Sequence, residues 1–403
     1  MAHARKRYLE SLLKKGLSYK SLVGVFGHRQ VGKTTLLEQL AQHYVTLDRP
    51  LENYAAHENP EQFIRDLTAA PGRYPIGLDE CQLVPPLFPV LKDFVRIHKK
   101  PGAFLLSGSV RFSSRKAIQE SLTGRILTYE LLPFSVSELE RKPINDWALR
   151  LMEREFEGLP FPKAVRALSE HSAAQRYLVQ GGLPGVCFTR DERDRKGLLE
   201  SQLQTILDRD LQLVCETRVP LARLRALAGH LAENQNKPFL LTEAARKTQI
   251  STPTLRRILA GLEAVFLIRY VPTEGDESRP VYFFEDQGEA YHLNKQGYDA
   301  IDDLERLAFA HLRIPFAYAP GVSWEFFQYR RRGGAYVFLA FRVGKKVLGF
   351  LAMDSELPSM GALQSAKSFL RSYEGSKIVF LHPHRGVHVL SRREISLPIT
   401  LFL

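Results

Sequence analysis

Leu22-Val23-Gly24-Val25-Phe26-Gly27-His28-Arg29-Gln30-Val31-Gly32-Lys33-Thr34-Thr35 decides the fold of this chain. Residues 22–26 are apolar or small and predict a short buried strand. From Lys33 onward, Leu36, Leu37 and Leu40 fall on one face of a helix. Between strand and helix stands the pattern G-x-x-x-x-G-K-[ST], from Gly27 to Thr34. Its glycines let successive backbone N–H groups turn inward toward phosphate oxygens, and the helix N-terminus adds the positive end of its dipole. In such a loop Lys33 reaches the β- and γ-phosphates and the Thr34 hydroxyl ligates Mg²⁺. The expected nucleotide-binding residues are Gly27, His28, Arg29, Gln30, Val31, Gly32, Lys33, Thr34 and Thr35.

A second motif lies downstream. Tyr74-Pro75-Ile76-Gly77-Leu78-Asp79-Glu80 is a mainly apolar strand that ends in two carboxylates. The interval from Lys33 has room for a strand at 44–47 and a helix at 61–69. Helix 90–97 and strands 103–107 and 125–131 continue the alternation, which predicts an α/β unit with a parallel sheet wrapped on both faces. Asp79 is expected to hold the metal through water, and Glu80 to orient the attacking water. Ser107-Gly108-Ser109 reads equally as a γ-phosphate sensor and as a plain turn. Arg125 reads as an arginine finger toward a neighbouring subunit or as an ordinary surface arginine.

The 403 residues exceed one ordinary core and imply roughly two to four compact units. Apolar residues make up 44% and charged residues 25%, a balance that excludes a mostly disordered or collagen-like chain. The net charge of +12 favours polyanionic partners, and 305–403 alone holds 14 basic and 6 acidic residues. Three scattered cysteines give neither a disulfide framework nor a metal spacing. The basic N-terminus lacks the apolar stretch of a signal peptide, and the apolar windows 336–341 and 347–353 are far below the roughly 20 residues that span a bilayer. A cytoplasmic chain with no membrane partner is the expectation.

Taken in order, Gly27–Thr35, Leu78–Glu80, Phe104–Ser109 and Ser121–Arg125 resemble the bacterial and archaeal AAA-type P-loop ATPases near the STAND and archaeal-ATPase branch. The likeness continues in Gln180-Gly181-Gly182-Leu183-Pro184 and in Thr205-Ile206-Leu207-Asp208-Arg209-Asp210. It implies an α/β fold with a P-loop parallel sheet of AAA+/ASCE type, and ATP as the nucleotide. It also implies a helical lid region, a winged-helix domain and a nuclease-like C-terminal domain. The corresponding boundaries are 1–135, 136–235, 236–292 and 293–403. The resemblance makes Pro184 a candidate neighbour of the adenine; Gly-Gly-Leu-Pro also reads as a helix terminator.

Residues 241–247 and 251–259 read as two short helices around a turn, the second with Ser251 as N-cap, followed by strands 265–270 and 281–284. As a DNA-reading winged helix this element would present Thr252, Thr254, Arg256 and Arg257; as a lid or protein contact it would not touch DNA. In the related families the last domain often resembles a PD-(D/E)xK nuclease, which needs clustered carboxylates and a lysine. Here Gly334-Ala335-Tyr336-Val337-Phe338 and Gly349-Phe350-Leu351-Ala352-Met353 stand at those places, so nuclease activity is expected to be absent. Arg330, Arg331 and Arg332, with Lys345-Lys346 and Arg392-Arg393, then read as a basic face for a nucleic-acid backbone or as solvated loops. The expected function is Mg²⁺-dependent ATP hydrolysis coupled to DNA binding and remodelling by a homo-oligomer. The alternative is a slow nucleotide switch acting on a protein partner.

Overall fold

Leu22–Gly27 (β1) is buried along its whole length because both of its faces are covered. Leu22 and Phe26 join a core with Leu78, Phe104, Leu106 and Leu91, whereas Val23 and Val25 point the other way into a core with Leu9, Leu13, Leu36 and Leu37. That alternation is what a parallel sheet between two helical layers requires. In the computed structural model, which describes residues 5–69, 72–111, 122, 124–162, 164–275 and 279–403, β1 is the fourth strand of five. Its companions are β2 (His43–Thr46), β3 (Ile76–Asp79), β4 (Phe104–Gly108) and β5 (Ile126–Leu131), in the order β2-β3-β4-β1-β5. Every pairing is parallel. All C-terminal strand ends therefore share one edge, where Phe26 is level with Gly108, Gly27 with Leu131, and Thr46 with Asp79.

Two further units follow. Helices Leu221–Glu233, Leu241–Thr248 and Thr252–Ala264 lead into an antiparallel pair, β6 (Ile268–Val271) and β8 (Val281–Phe284). Leu227, Leu231, Ala244, Leu255, Ile258, Leu262 and Phe284 share one core there. A seven-stranded mixed sheet closes the chain in the order β13-β14-β12-β11-β10-β9-β7. Its strands are β7 (Thr273–Glu274), β9 (Glu325–Arg330), β10 (Tyr336–Val343), β11 (Lys346–Ala352), β12 (Lys377–His382), β13 (His388–Ser391) and β14 (Glu394–Pro398).

Residues 136–235, expected as a helical lid or linker region, divide among separate cores. Val136, Leu151, Phe156 and Tyr177 lie in the same core as Phe338, Phe350 and Leu397 of the last sheet. Lys377 fixes that attachment by donating to the carbonyls of Leu151 (2.9 Å) and Met152 (3.1 Å), at the end of helix Trp147–Glu153. Leu203, Leu207, Leu224 and Leu231 instead belong to the three-helix unit. A boundary at 236 would cut that unit after its first helix. The sequence reading also passed over helix Pro50–Glu58, which starts with proline in its first turn, and over strands β7, β13 and β14.

Phe338 and Phe350, which lie in the segments where the resemblance leads one to expect nuclease carboxylates, are fully buried in the core of the last sheet. Glu305, on helix Ala300–Leu312, accepts from Asn236 Nδ2 and, at 3.4 Å, from the Tyr336 hydroxyl. Burial pushes its carboxyl up to about 8, so the folded chain keeps a proton that the unfolded chain releases. The stability this contributes is full below the ordinary carboxylate range and is lost as the pH rises toward 8. Glu305→Gln is expected to unfold at a higher temperature than the wild type at pH 8 and to lack its decline between pH 5 and pH 8. Thermal melts across that range check this; parallel curves for the two proteins would contradict it.

Candidate active site

The edge formed by the C-terminal strand ends is where the two motifs meet. Gly27 ends β1, the loop turns through residues 28–32, and Gly32, with φ of 100°, leads into helix Lys33–Leu40. Only the backbone freedom of glycine accommodates that angle at no cost. Thr34, in the first turn of the helix, donates to Asp79 Oδ2 at 2.6 Å. Asp79 Oδ2 also receives the Tyr44 hydroxyl at 2.9 Å, and Oδ1 receives Ser107 Oγ and the Glu80 amide. Asp79 is 2% exposed, and the four groups that donate to it are neutral, while the Lys33 ammonium lies within coulombic reach. Burial and Asp79 together push the Tyr44 phenol up, which keeps it a donor.

Glu80 takes a left-handed backbone, φ 56° and ψ 42°. For a residue with a side chain this conformation costs on the order of 1 kcal/mol and turns the carboxylate away from the strand direction. Gln82 Nε2 then holds Glu80 Oε2 and also donates to Ser109 Oγ at 3.1 Å, while Ser109 donates to Glu80 Oε2 at 3.3 Å. The two serines of Ser107-Gly108-Ser109 thus contact Asp79 and Glu80 respectively.

Lys33 is 5% exposed and donates to the carbonyls of Gly27 (3.0 Å) and His28 (2.8 Å). Burial pulls its ammonium below the usual lysine range, opposed by Glu80, Asp79 and Asp210. A buried cation whose partners are carbonyls, facing three acids, is the electrostatic setting an anion with a divalent cation would satisfy. The Thr34 hydroxyl and the Asp79 carboxylate would offer a metal hard, all-oxygen donors, as Mg²⁺ demands. Among the described residues no group of three or more His, Cys, Asp or Glu side chains forms a metal cage. A Mg²⁺ held largely by phosphates and water needs none.

Other residues reach this edge from far away in sequence. Arg7 donates to the Val31 carbonyl at 2.7 Å, pairs with Glu138 at 3.1 Å and stacks on Phe134, so the N-terminal segment props the loop from outside. Asp210, at the end of a π-helical turn Ile206–Asp210, accepts both its bonds from Arg29 at 3.3 Å. Burial pushes the Asp210 carboxyl up and Arg29 opposes this. Arg209 pairs with Asp48 at 2.8 Å. Pro184 lies against the loop, its Cγ 3.6 Å from where a Cβ on Gly32 would stand. Gly182 sits where any Cβ would run into the Phe134 carbonyl, and its amide donates to Asp286 at 2.7 Å.

Three groups of predicted residues lie elsewhere. Arg125 precedes β5, whose first residue pairs with Leu22, so it stands at the opposite edge of the sheet, about 17 Å of strand from Gly27. It cannot serve its own chain's site; Ser121 and Thr123 of that motif lie outside the described residues. Arg256 and Arg257 are exposed on helix Thr252–Ala264, with Arg257 donating to the Glu216 carbonyl, while Thr252 and Thr254 are half-buried. The basic runs of the last sheet do not form one face. Arg330, Arg331 and Arg332 sit at the β9–β10 turn, and Lys345 and Lys346 at the other end of β10, about 23 Å away. Arg330 stacks on Tyr336, Arg331 donates to Tyr329, Lys346 pairs with Glu153 and Arg392 with Glu157.

Sequence reasoning passed over one buried ionic cluster beside the site. Arg111, just beyond β4, pairs with Glu130 of β5 and with Glu285 at 2.7 Å; Arg269 (2.8 Å) and Arg313 (2.6 Å) also meet Glu285. Glu285 is 2% exposed. Its burial alone would raise its pKa, but three guanidiniums hold it well below the usual carboxylate range. Nothing in the separate segments around residues 111, 130, 269, 285 and 313 signals that they meet.

Residues 19–140, which carry β1 to β5, match a family model described as an AAA domain. Residues 171–296 match a model described as a domain of unknown function, DUF8612. Two mycobacterial relatives are similar along nearly the whole chain: Uncharacterized protein Rv2008c of Mycobacterium tuberculosis and Uncharacterized protein Mb2031c of Mycobacterium bovis. Each is 25% identical over 98% of this chain and 83% of its own length. Among solved structures, the replication initiator DnaA bound to AMPPCP and single-stranded DNA aligns with a TM-score of 0.28 and 12% identity, over 64% of this chain and 86% of that one. Protein VC1899 from Vibrio cholerae aligns with a TM-score of 0.19 and 11% identity over 94% of both chains. No helix among the described residues is long and apolar enough to cross a membrane.

Glu285→Gln should strand three guanidiniums around a neutral amide, a loss of roughly 3–5 kcal/mol for a buried ionic group. The stabilising contribution of Glu285 is present above the ordinary carboxylate range and disappears on acidification through its depressed folded pKa. Denaturant titration at pH 7 checks this, and an unchanged midpoint would contradict it.

Proposed function

We propose that this chain is a Mg²⁺-dependent ATPase, and that hydrolysis is coupled to binding and remodelling of DNA. The observation that carries the first part is the 2.6 Å contact between Thr34 and Asp79, with Glu80 beside it. In this reading Gly27 to Thr35 cradle the phosphates and Lys33 neutralises the β- and γ-phosphates. Thr34 and Asp79 are the residues that would hold Mg²⁺, the metal supplying charge stabilisation for the departing phosphate. Glu80, steered by Gln82 and Ser109, orients the attacking water. Pro184 lies on the loop where the adenine would extend. The match of residues 19–140 to an AAA domain supports nucleotide as the ligand.

The DNA arm rests on the net charge of +12 and on exposed Arg256 and Arg257 of a helix laid out as in winged-helix readers, with Thr252 and Thr254 beside them. Arg330, Arg331 and Arg332 offer a second, separate contact at one turn. Arg125, on the far edge of the sheet, would reach a nucleotide only in another copy, so this reading includes a homo-oligomer. One observation favours the alternative of a slow switch acting on a protein partner. The acid-rich stretch from Glu285 to Glu289 ties the loop edge to the later units through buried contacts.

Lys33→Ala is expected to abolish ATP binding, and Glu80→Gln to retain binding while losing turnover by at least about a hundred-fold. Steady-state hydrolysis and equilibrium binding check both, and normal activity in either variant would refute the site. Duplex or single-stranded DNA should stimulate turnover several-fold, with binding that falls steeply as salt rises. Slow turnover indifferent to DNA, with nucleotide retained through purification, would select the switch instead.

A further inference from the structure

His28 is the second residue of the phosphate loop, and its side chain is 1% exposed. Its Nδ1 lies 2.7 Å from the Arg29 carbonyl oxygen, and its Nε2 lies 3.0 Å from Glu289 Oε2. Both neighbours only accept. A neutral imidazole carries one N–H and satisfies one of them; the imidazolium carries two and satisfies both. Glu289 is itself fully buried, and its second oxygen accepts from Gln202 Nε2 at 2.7 Å. The 3.0 Å contact with His28 does not have hydrogen-bond geometry and is an ion pair when the ring is protonated. Glu289 stands in the first turn of helix Gln287–Leu293, where Asp286 caps the Gly288 and Glu289 amides. Among the described residues, the charged groups that act on the ring are Glu289 and Asp286, and Lys33 donates to the His28 backbone carbonyl. Burial alone would keep the ring neutral; Glu289, and more weakly Asp286, draw it to the charged form.

We propose that Glu289 is a positioning residue for the phosphate loop, holding His28 as a buried imidazolium and thereby fixing the first turn of the loop in its anion-binding shape. The inference rests on the ATP-binding reading above. Glu289 acts through His28. Without the carboxylate, an imidazolium in that place would be an uncompensated buried charge, so the ring sheds a proton; a neutral ring takes either tautomer, and in the Nε2–H form the Arg29 carbonyl has lost its donor. The Arg29 carbonyl, one residue before Gln30 and three before Gly32, is then free to turn, and the loop amides lose their common direction. The consequence belongs to binding and leaves the water-orienting group Glu80 untouched.

The test uses the full chain as wild type, Glu289→Gln, His28→Gln and the double variant. Three quantities are read: the dissociation constant of a fluorescent non-hydrolysable ATP analogue, kcat at saturating ATP, and the ¹⁵N signals of the histidine rings at pH 8. The wild type is expected to show His28 with both nitrogens protonated, and Glu289→Gln to show it neutral. Glu289→Gln should weaken analogue binding about ten-fold while kcat stays within about two-fold. The double variant, with two neutral amides facing each other, should recover most of the affinity, the coupling expected of a direct pair. A neutral His28 in the wild type would overturn the proposal. So would unchanged affinity in folded Glu289→Gln, or a double variant no better than Glu289→Gln. If Glu289→Gln does not fold, a double variant that folds and binds supports the pair, and a wild-type ring that is neutral overturns it. Failure of the ATP-binding reading is separately visible: the wild type would then bind the analogue no better than Lys33→Ala, while the ring signals remain readable.

Discussion

The hydrogen bond from Thr34 to Asp79 is the contact on which the arrangement depends. Its partners are brought together by a sheet order that places β4 between β1 and β3. Because all the pairings are parallel, the loop after β1 and the acids after β3 emerge on one edge, with Ser107 of the intervening strand bridging to Asp79. Burial on both faces fixes this register, since a slip by one residue would turn Val23 and Val25 out of one core and into the other. The chemistry of the edge therefore follows from ordinary hydrophobic packing several residues away from it.

The later part of the chain is joined to that edge by buried charge. Glu285, Asp286, Gln287 and Glu289 meet, in order, Arg111 of the first unit, the Gly182 amide, Arg306 of helix Ala300–Leu312, and His28 of the loop. Each of these four polar side chains is buried, and the three acids among them would be costly alone. Such pairs stabilise poorly compared with apolar packing, but they are intolerant of misalignment. A shift of the loop that broke one would be felt by the units holding the others.

Much of the first unit was legible in the sequence. The loop has a fixed spacing, and β1, β3 and β4 are short apolar runs whose ends carry the polar groups. Helix Pro50–Glu58 was missed because only Ala56 is buried in it, so no apolar period marks it. β7, β13 and β14 were missed because they are two to five residues long, with β13 lacking any fully buried position. The partition of 136–235 was unreadable for a different reason. Its helices are amphipathic, and amphipathicity states that one face is covered without naming the cover. Residues 136–178 found theirs in the last sheet, more than a hundred residues on. The partners of the site failed in the same way: Arg7, Asp210 and the pair Glu285 and Glu289 come from three distant segments, and only folding brings them to one edge.

The most direct measurement is a crystal structure of the chain grown with Mn²⁺ and a non-hydrolysable ATP analogue, with the metal located by its anomalous scattering. The expected peak lies in bonding distance of Thr34 Oγ1 and one water away from Asp79, with Lys33 turned from the carbonyls of Gly27 and His28 onto the terminal phosphates. A triphosphate bound away from residues 27–35, or a metal held by other side chains, would contradict the assignment of this edge as the site.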